Sequence, residues 1–293
     1  MRGDVTNFFI ILFSGISIGS IYGLVALTFT SIYNASRVIN FAQGEFVMLG
    51  SLGAFIFLGI LRLPIVLTFL LTIAFVSIVG LAIQRLMVSP LVAKGAPVFT
   101  LILSTLSSGL IISGSVGAAT EYAWFRVAPL AGSVPVRLFG VPIMPQNLFI
   151  IGATVLLVVA YRFFLKKTFT GVALRATGAD RDMASLVGIR SSTMIGLAFA
   201  ISAAMSAIAG ILVAPIAHAS AEMGLPLVIK GFIACIFGGL GNPYAAVLGG
   251  LILGIIGALL TGYFSSVYAE IVTFVILLLI LIPRPAGLFG EKG

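Results

Sequence analysis

Six stretches of this chain carry no Asp, Glu, Lys or Arg: Val5 to Ser36, Leu63 to Gln84, Gly95 to Thr120, Leu138 to Tyr161, Ser191 to Ala221 and Gly231 to Ala269. A helix needs about 20 apolar residues to cross the roughly 30 Å hydrocarbon core of a bilayer. Each run is long enough to cross once, and the last is long enough to cross twice. They are rich in Leu, Ile, Val and Phe without sustained alternation, which points to bundled helices rather than the strands of a closed barrel. With 60% apolar and 8% charged residues, the chain lies far from the roughly 25% charged residues of soluble domains. The reading is an all-α, polytopic integral membrane helical bundle with eight to nine transmembrane helices, forming a single transmembrane domain over residues 1–293.

The basic excess, a net charge of +8, has its explanation in topology, because cytoplasmic loops collect Lys and Arg. These residues sit beside the spans and are not interleaved with aromatics on a polar surface, so no nucleic-acid partner is expected. The single cysteine, Cys235, lies in an apolar run and cannot pair within the chain. The first apolar run is longer than the roughly 7–15 residues of a signal-peptide core, and it is expected to remain as a span.

The first span is placed near Phe8 to Ile32, with Gly15, Gly19 and Gly23 at four-residue spacing. Such glycines give a smooth face on which a second helix approaches closely. Ala198, Ser202, Ser206 and Gly210 repeat the device in the span near Thr193 to Pro215. Between Glu121 and Gln146 lie four prolines and Trp124, which read as an exposed loop with interfacial aromatics. Three further apolar stretches, Leu225 to Leu240, Tyr244 to Gly262 and Ser266 to Ile282, are separated by the turn-like GGLGNP and by GYFSS. If the loop Arg162 to Arg190 is cytoplasmic, charge counting places Arg85 to Lys94 and the C-terminal tail on the same side. The Pro-rich loop and the link at His218 and Glu222 then fall outside. A short internal echo relates GEFVMLGSLGAF to GNPYAAVLGGLILG.

Two polar stretches interrupt this background. The larger one, Arg162 to Arg190, holds Arg162, Lys166, Lys167, Arg175, Asp180, Arg181, Asp182 and Arg190. Within it a helix is predicted from near Asp180, whose side chain can cap free amides, to Gly188, a natural stop. Met183, Ala184 and Val187 would form a small apolar face there, suited to a groove on a partner; the plain alternative is a basic loop made by topology alone. The smaller stretch contains Arg37, Asn40, Gln43 and Glu45. Arg37 and Glu45 are two helical turns apart, too far for an ordinary i to i+4 pair. An intramembrane charge costs about 2.5–3.5 kcal/mol on insertion scales, so Glu45 should sit in a polar cavity, pair with Arg37 or reach the interface. Asn40 and Gln43 either hydrogen-bond between helices or line a path for a zwitterion.

These motifs carry a resemblance. RATGADRDMASLVGI resembles the cytoplasmic coupling segment of permeases in ATP-binding cassette (ABC) importers. VINFAQGEFVMLGS, GLVALTFTSIYN and FGGLGNPYAAVLGG resemble the LivH type of branched-chain amino acid permease, over nearly the whole chain. Gln43 stands where that family often has His, which removes a titratable group. The resemblance implies a transport subunit of the bacterial cytoplasmic (inner) membrane with no catalytic site, metal or cofactor of its own. It also implies ABC ATPase subunits gripping the cytoplasmic loop at about residues 166–192, a second related permease and a periplasmic substrate-binding protein. By motif position the ATPase-coupling role falls on Arg175, Ala176, Gly178, Asp180, Met183, Ala184, Leu186 and Gly188. Asn40, Gln43 and Glu45 are the candidates for substrate path or gating.

An enzyme is disfavoured on the residues themselves: one His, one Cys and eight carboxylates, with no HExxH, GxSxG or GxxxxGK[ST] motif. His218 reads as a solvated loop residue. The alternative function is a stand-alone secondary carrier or channel for small amphipathic solutes.

Overall fold

The computed structural model describes residues 2–138, 141–264, 271–272, 274–275, 279, 282 and 287–288. Its helices are α1 (Arg2–Ser36), α2 (Gln43–Ala54), α3 (Ile65–Ile83), α4 (Ser89–Ala93), α5 (Val98–Thr120), α6 (Pro145–Lys167), α7 (Phe169–Ala179), α8 (Arg181–Leu186), α9 (Ser191–Ala217), α10 (Gly224–Gly238) and α11 (Pro243–Tyr263). Two short strands, β1 (Val136–Leu138) and β2 (Val141–Ile143), pair antiparallel with Val136 opposite Ile143. This hairpin lies in the segment read from its prolines as a plain loop, where Trp124 is indeed exposed.

Among the described residues, seven helical stretches are long and apolar enough to cross a membrane: Thr6–Ser36, Gln43–Ile60, Ile65–Ala93, Val98–Thr120, Pro145–Lys167, Ser191–Ala217 and Pro243–Tyr263. Gly224–Gly238 is an eighth apolar helix, but shorter. The polytopic all-α reading therefore holds. Most of the expected ninth stretch, Ser266 to Ile282, and the tail residues Arg284 and Lys292 lie outside the described residues. Two spans contain π-helical turns, Phe55–Ile60 after α2 and Gln84–Val88 after α3. Such turns widen the helix locally and leave no trace in hydropathy.

By their contacts the residues fall into two units interleaved along the chain. The first comprises Met1–Leu27, Pro129–Leu156 and Lys230–Gly293. Here the α1 glycines meet α11: a methyl group on Gly250 would fall on the backbone of Gly23, and Gly19 and Gly15 lie against Leu251 and Ala258. The four-residue spacing thus does what it promises, letting two backbones touch where side chains would hold them apart.

The second unit comprises Thr28–Ala128 and Leu157–Ile229. In it α2, α3 and α9 pack mutually, with Ala42, Phe46, Val76, Ile83, Ala203 and Ala207 forming a buried apolar cluster. Gly50 sits on the backbone of Ala207, and Gly210 on the carbonyl of Val47. The face Ala198, Ser202, Ser206 and Gly210 is buried throughout. At one end, Phe125 and Ala219 exchange backbone hydrogen bonds of 2.8 and 2.9 Å, and the Phe55 ring stacks on Phe125 with centroids 4.3 Å apart. The Pro-rich loop and the His218 link, placed on one side by charge counting, are therefore joined by direct pairing.

Candidate functional site

The charged island folds as two short helices following α6. Thr168 caps α7, its Oγ1 accepting from the Gly171 amide at 3.0 Å. Asp180 caps α8, its Oδ1 accepting from the amides of Asp182 (2.9 Å) and Met183 (3.0 Å). Gly188 ends the turn in the left-handed region at φ 84°. The amides of Ile189 and Gly188 donate back to the carbonyls of Ala184 and Ser185, each at 3.0 Å, the paired closure of a Schellman stop. The helix predicted between Asp180 and Gly188 is present with both of its caps.

Its face differs from the expectation. Ala184 is turned inward, at 3% exposure, while Met183, Leu186 and Val187 are exposed at 63%, 79% and 75%. Positions i, i+3 and i+4 share one side of a helix, so Met183 groups with Leu186 and Val187. Leu186, carried over by motif, belongs to the knob; Ala184 is part of its foundation. On α7, Phe169 and Val172 are also exposed, as is Arg175.

The segment is fastened to the end of α1. The Arg37 guanidinium donates to the Gly178 carbonyl at 3.2 Å, and Arg181 donates to the Ser36 carbonyl. Ser191 Oγ donates to the Arg181 carbonyl at 3.2 Å. Helix C-termini present unsatisfied carbonyls and partial negative charge, so cations are the natural partners for Ser36. Gly178 lies directly on the Asn34 carbonyl, and no larger residue could occupy that place without pushing α7 away. Ala176, half-buried, adds no exposed group. Arg37 is thus committed to the α7–α8 segment through Gly178 and is not the partner of Glu45.

From Arg37 the chain runs directly to the second polar stretch. Asn40 Nδ2 donates to Gln43 Oε1 at 3.3 Å, and Asn40 Oδ1 accepts from the Ala42 amide at 3.1 Å. Gln43 Nε2 donates to Ser202 Oγ at 2.9 Å and also to Ser206 Oγ. Ser202 Oγ in turn donates to the Thr28 carbonyl at 2.9 Å. Both Asn40 and Gln43 are buried; Gln43 locks α2 onto α9, and Asn40 holds the Gln43 amide oxygen. Of the three path candidates, Glu45 borders a cavity of about 480 Å³.

One residue escaped the reading of the sequence. Lys230 lies inside the apolar run of α10, where a lone charge is by itself a signal. Its ammonium stands 5.8 Å from the centroid of the Tyr22 ring, at the edge of a second cavity of about 510 Å³ bordered also by Ile18, Leu253 and Phe274.

Comparison with known proteins gives the family. Residues 11–281 match the family model described as "Branched-chain amino acid transport system / permease component". The high-affinity branched-chain amino acid transport system permease protein LivH of Salmonella typhimurium is 30% identical, over 96% of this chain and 94% of that protein. The corresponding protein BraD of Pseudomonas aeruginosa is 30% identical, over 96% and 95%. Among solved structures, PsaBC from Streptococcus pneumoniae in complex with Fab aligns with a TM-score of 0.50 at 14% identity, covering 92% of this chain and 89% of that one; this is a likeness of fold alone. With apolar helices long enough to span a bilayer and a match over nearly its whole length, the chain is a multi-pass membrane protein that belongs to the branched-chain amino acid transport system permease family.

Proposed function

We propose that this chain is the permease subunit of an ABC importer of the cytoplasmic membrane, carrying branched-chain or related apolar amino acids inward on ATP hydrolysed by partner subunits. The observation that carries the reading is the apolar knob Met183, Leu186 and Val187 on a helix capped at both ends and tied to α1. A loop kept in water by its charges has no use for three exposed apolar residues on a rigid turn. A groove on an ATPase has, because a docked helix transmits closure of the partner where a floppy tail would absorb it. The transport unit would be completed by a second, related permease, two ATPase subunits and a binding protein that delivers the amino acid from outside.

The test is uptake of radiolabelled leucine into proteoliposomes holding this chain with its partner permease, ATPases and binding protein. Uptake is expected only with ATP on the ATPase side and binding protein on the other. Gradient-driven leucine uptake by this chain alone would instead establish a stand-alone carrier.

A further inference from the structure

The cavity at Glu45 has the chemistry of a receptor for a primary ammonium group on an apolar body. Glu45 is 6% exposed, and its Oε2 is buried with no hydrogen-bond partner. Two glycines make room for it: a methyl group on Gly109 would lie 3.3 Å from its Cγ, and one on Gly224 would lie 2.9 Å from Oε2. The same cavity is bordered by Glu222 and Tyr122, while Leu106, Leu110 and Leu225 supply apolar wall. Among the described residues that line it there is no Lys, Arg or His, so two carboxyl groups border the space with no cation among them. A buried carboxylate oxygen left unpaired is costly unless something arrives to pair with it. The site therefore offers carboxyl oxygens, an aromatic ring of the kind that attracts cations and branched aliphatic walls. Its volume falls within the roughly 300–1,000 Å³ usual for small-molecule sites.

We infer that this cavity is the intramembrane holding site for the amino acid, with Glu45 receiving its α-ammonium group and the leucines its side chain. This assignment rests on the permease reading above and deepens it. The first turn of α10, whose amides have no intrahelical acceptor, borders the cavity through Leu225 and offers partial positive charge to the substrate carboxylate. Glu222, exposed at the cavity margin, adds attraction for the ammonium group on entry.

The test is direct ligand binding to the assembled transporter in nanodiscs of phosphatidylcholine and phosphatidylglycerol, which present no lipid amine. Three probes of matched shape are compared: leucine, leucinamide without the carboxylate charge, and 4-methylpentanoate without the ammonium. Leucine and leucinamide are expected to bind, 4-methylpentanoate to bind at least tenfold more weakly, and Glu45→Gln to abolish the difference. Glu45→Gln preserves volume and replaces a buried carboxyl group by a neutral amide, so the variant is expected to fold. Leu110→Trp, which fills the cavity from its apolar side, is expected to weaken all binding while leaving Glu45 in place. Equal binding of the three probes, or leucine binding and uptake unchanged by Glu45→Gln, would overturn the assignment while leaving the permease reading standing. Glu45-dependent leucinamide binding in a transporter that does not take up leucine would overturn the substrate instead, and keep the cation site.

Discussion

Replacing Met183 and Leu186 together by aspartate is expected to reduce ATP-driven uptake to background and to abolish stimulation of ATP hydrolysis by loaded binding protein, with normal amounts of the chain in the membrane. Burial of one Met or Leu side chain is worth about 1.5–3 kcal/mol, so losing two such anchors weakens docking by roughly 3–6 kcal/mol. That is about two to four powers of ten in affinity, before the added cost of pressing two carboxylates against an apolar groove. The fold should be spared, because both side chains are more than three-fifths exposed in this subunit. Ala184 is the wrong position for this experiment. At 3% exposure, an aspartate there would bury its charge beneath α8 and destroy the segment, so a loss of uptake would report misfolding and not docking. Co-purification of the ATPase, detergent thermal unfolding and uptake, measured on one preparation, separate the two causes.

Gly178→Val is expected to have the second largest effect, through the connection and not through the contact surface. Its side chain would occupy the position of the Asn34 carbonyl, so α7 must move off the end of α1 and the Arg37 to Gly178 hydrogen bond opens. Overpacking of this kind costs about 1–3 kcal/mol, which a protein of this size survives with a lowered melting temperature. The exposed knob remains, so the ATPases still bind and still turn over. Movement of α8 then no longer reaches Ser36, Arg37 and the link to α2, and uptake per ATP hydrolysed is expected to fall at least tenfold. Measuring uptake and phosphate release in the same proteoliposomes checks this. A parallel fall in both, at constant ratio, would show that Gly178 serves only to keep the subunit folded.

How much of this was legible in the residues follows from what each feature depends on. The spans follow from solvation of the backbone, which reads directly as runs without charge, so α3, α5, α6, α9 and α11 lie close to where hydropathy places them. The helix at Asp180 to Gly188 was legible because capping is local chemistry, settled within a few residues by an acid and a glycine. Ala184 was misassigned to the exposed face because sequence spacing tells which residues share a side, while neighbouring elements decide which side faces in. Leu186, one helical turn from Met183, was the better reading. The destinations of Arg37 and Arg181 were out of reach: each donates to a carbonyl more than 140 residues away in the chain, and a backbone carbonyl has no residue signature. Asn40 and Gln43 had two readings because an amide suits an interhelical lock and a polar path equally. Only the positions of Ser202 and Ser206 against Gln43 separate the two. Lys230 was legible and was passed over, since a window averaged over α10 remains apolar in spite of one charge.

The continuous line from α8 through Arg181 and Arg37 to the link before α2, and from there to Gln43 and Glu45, makes one assembly of parts that the sequence presents as separate islands. Its outermost contact is the most direct thing to measure. Cys235, the chain's single cysteine, is buried, so Leu186→Cys introduces one accessible thiol at the tip of α8. In the assembled transporter, a short photoactivatable crosslinker on that thiol is expected to form its main adduct with an ATPase subunit, and the thiol to be shielded from a water-soluble maleimide. A thiol labelled at the same rate with and without the ATPases, giving no adduct with them, would contradict the docking role proposed for α8.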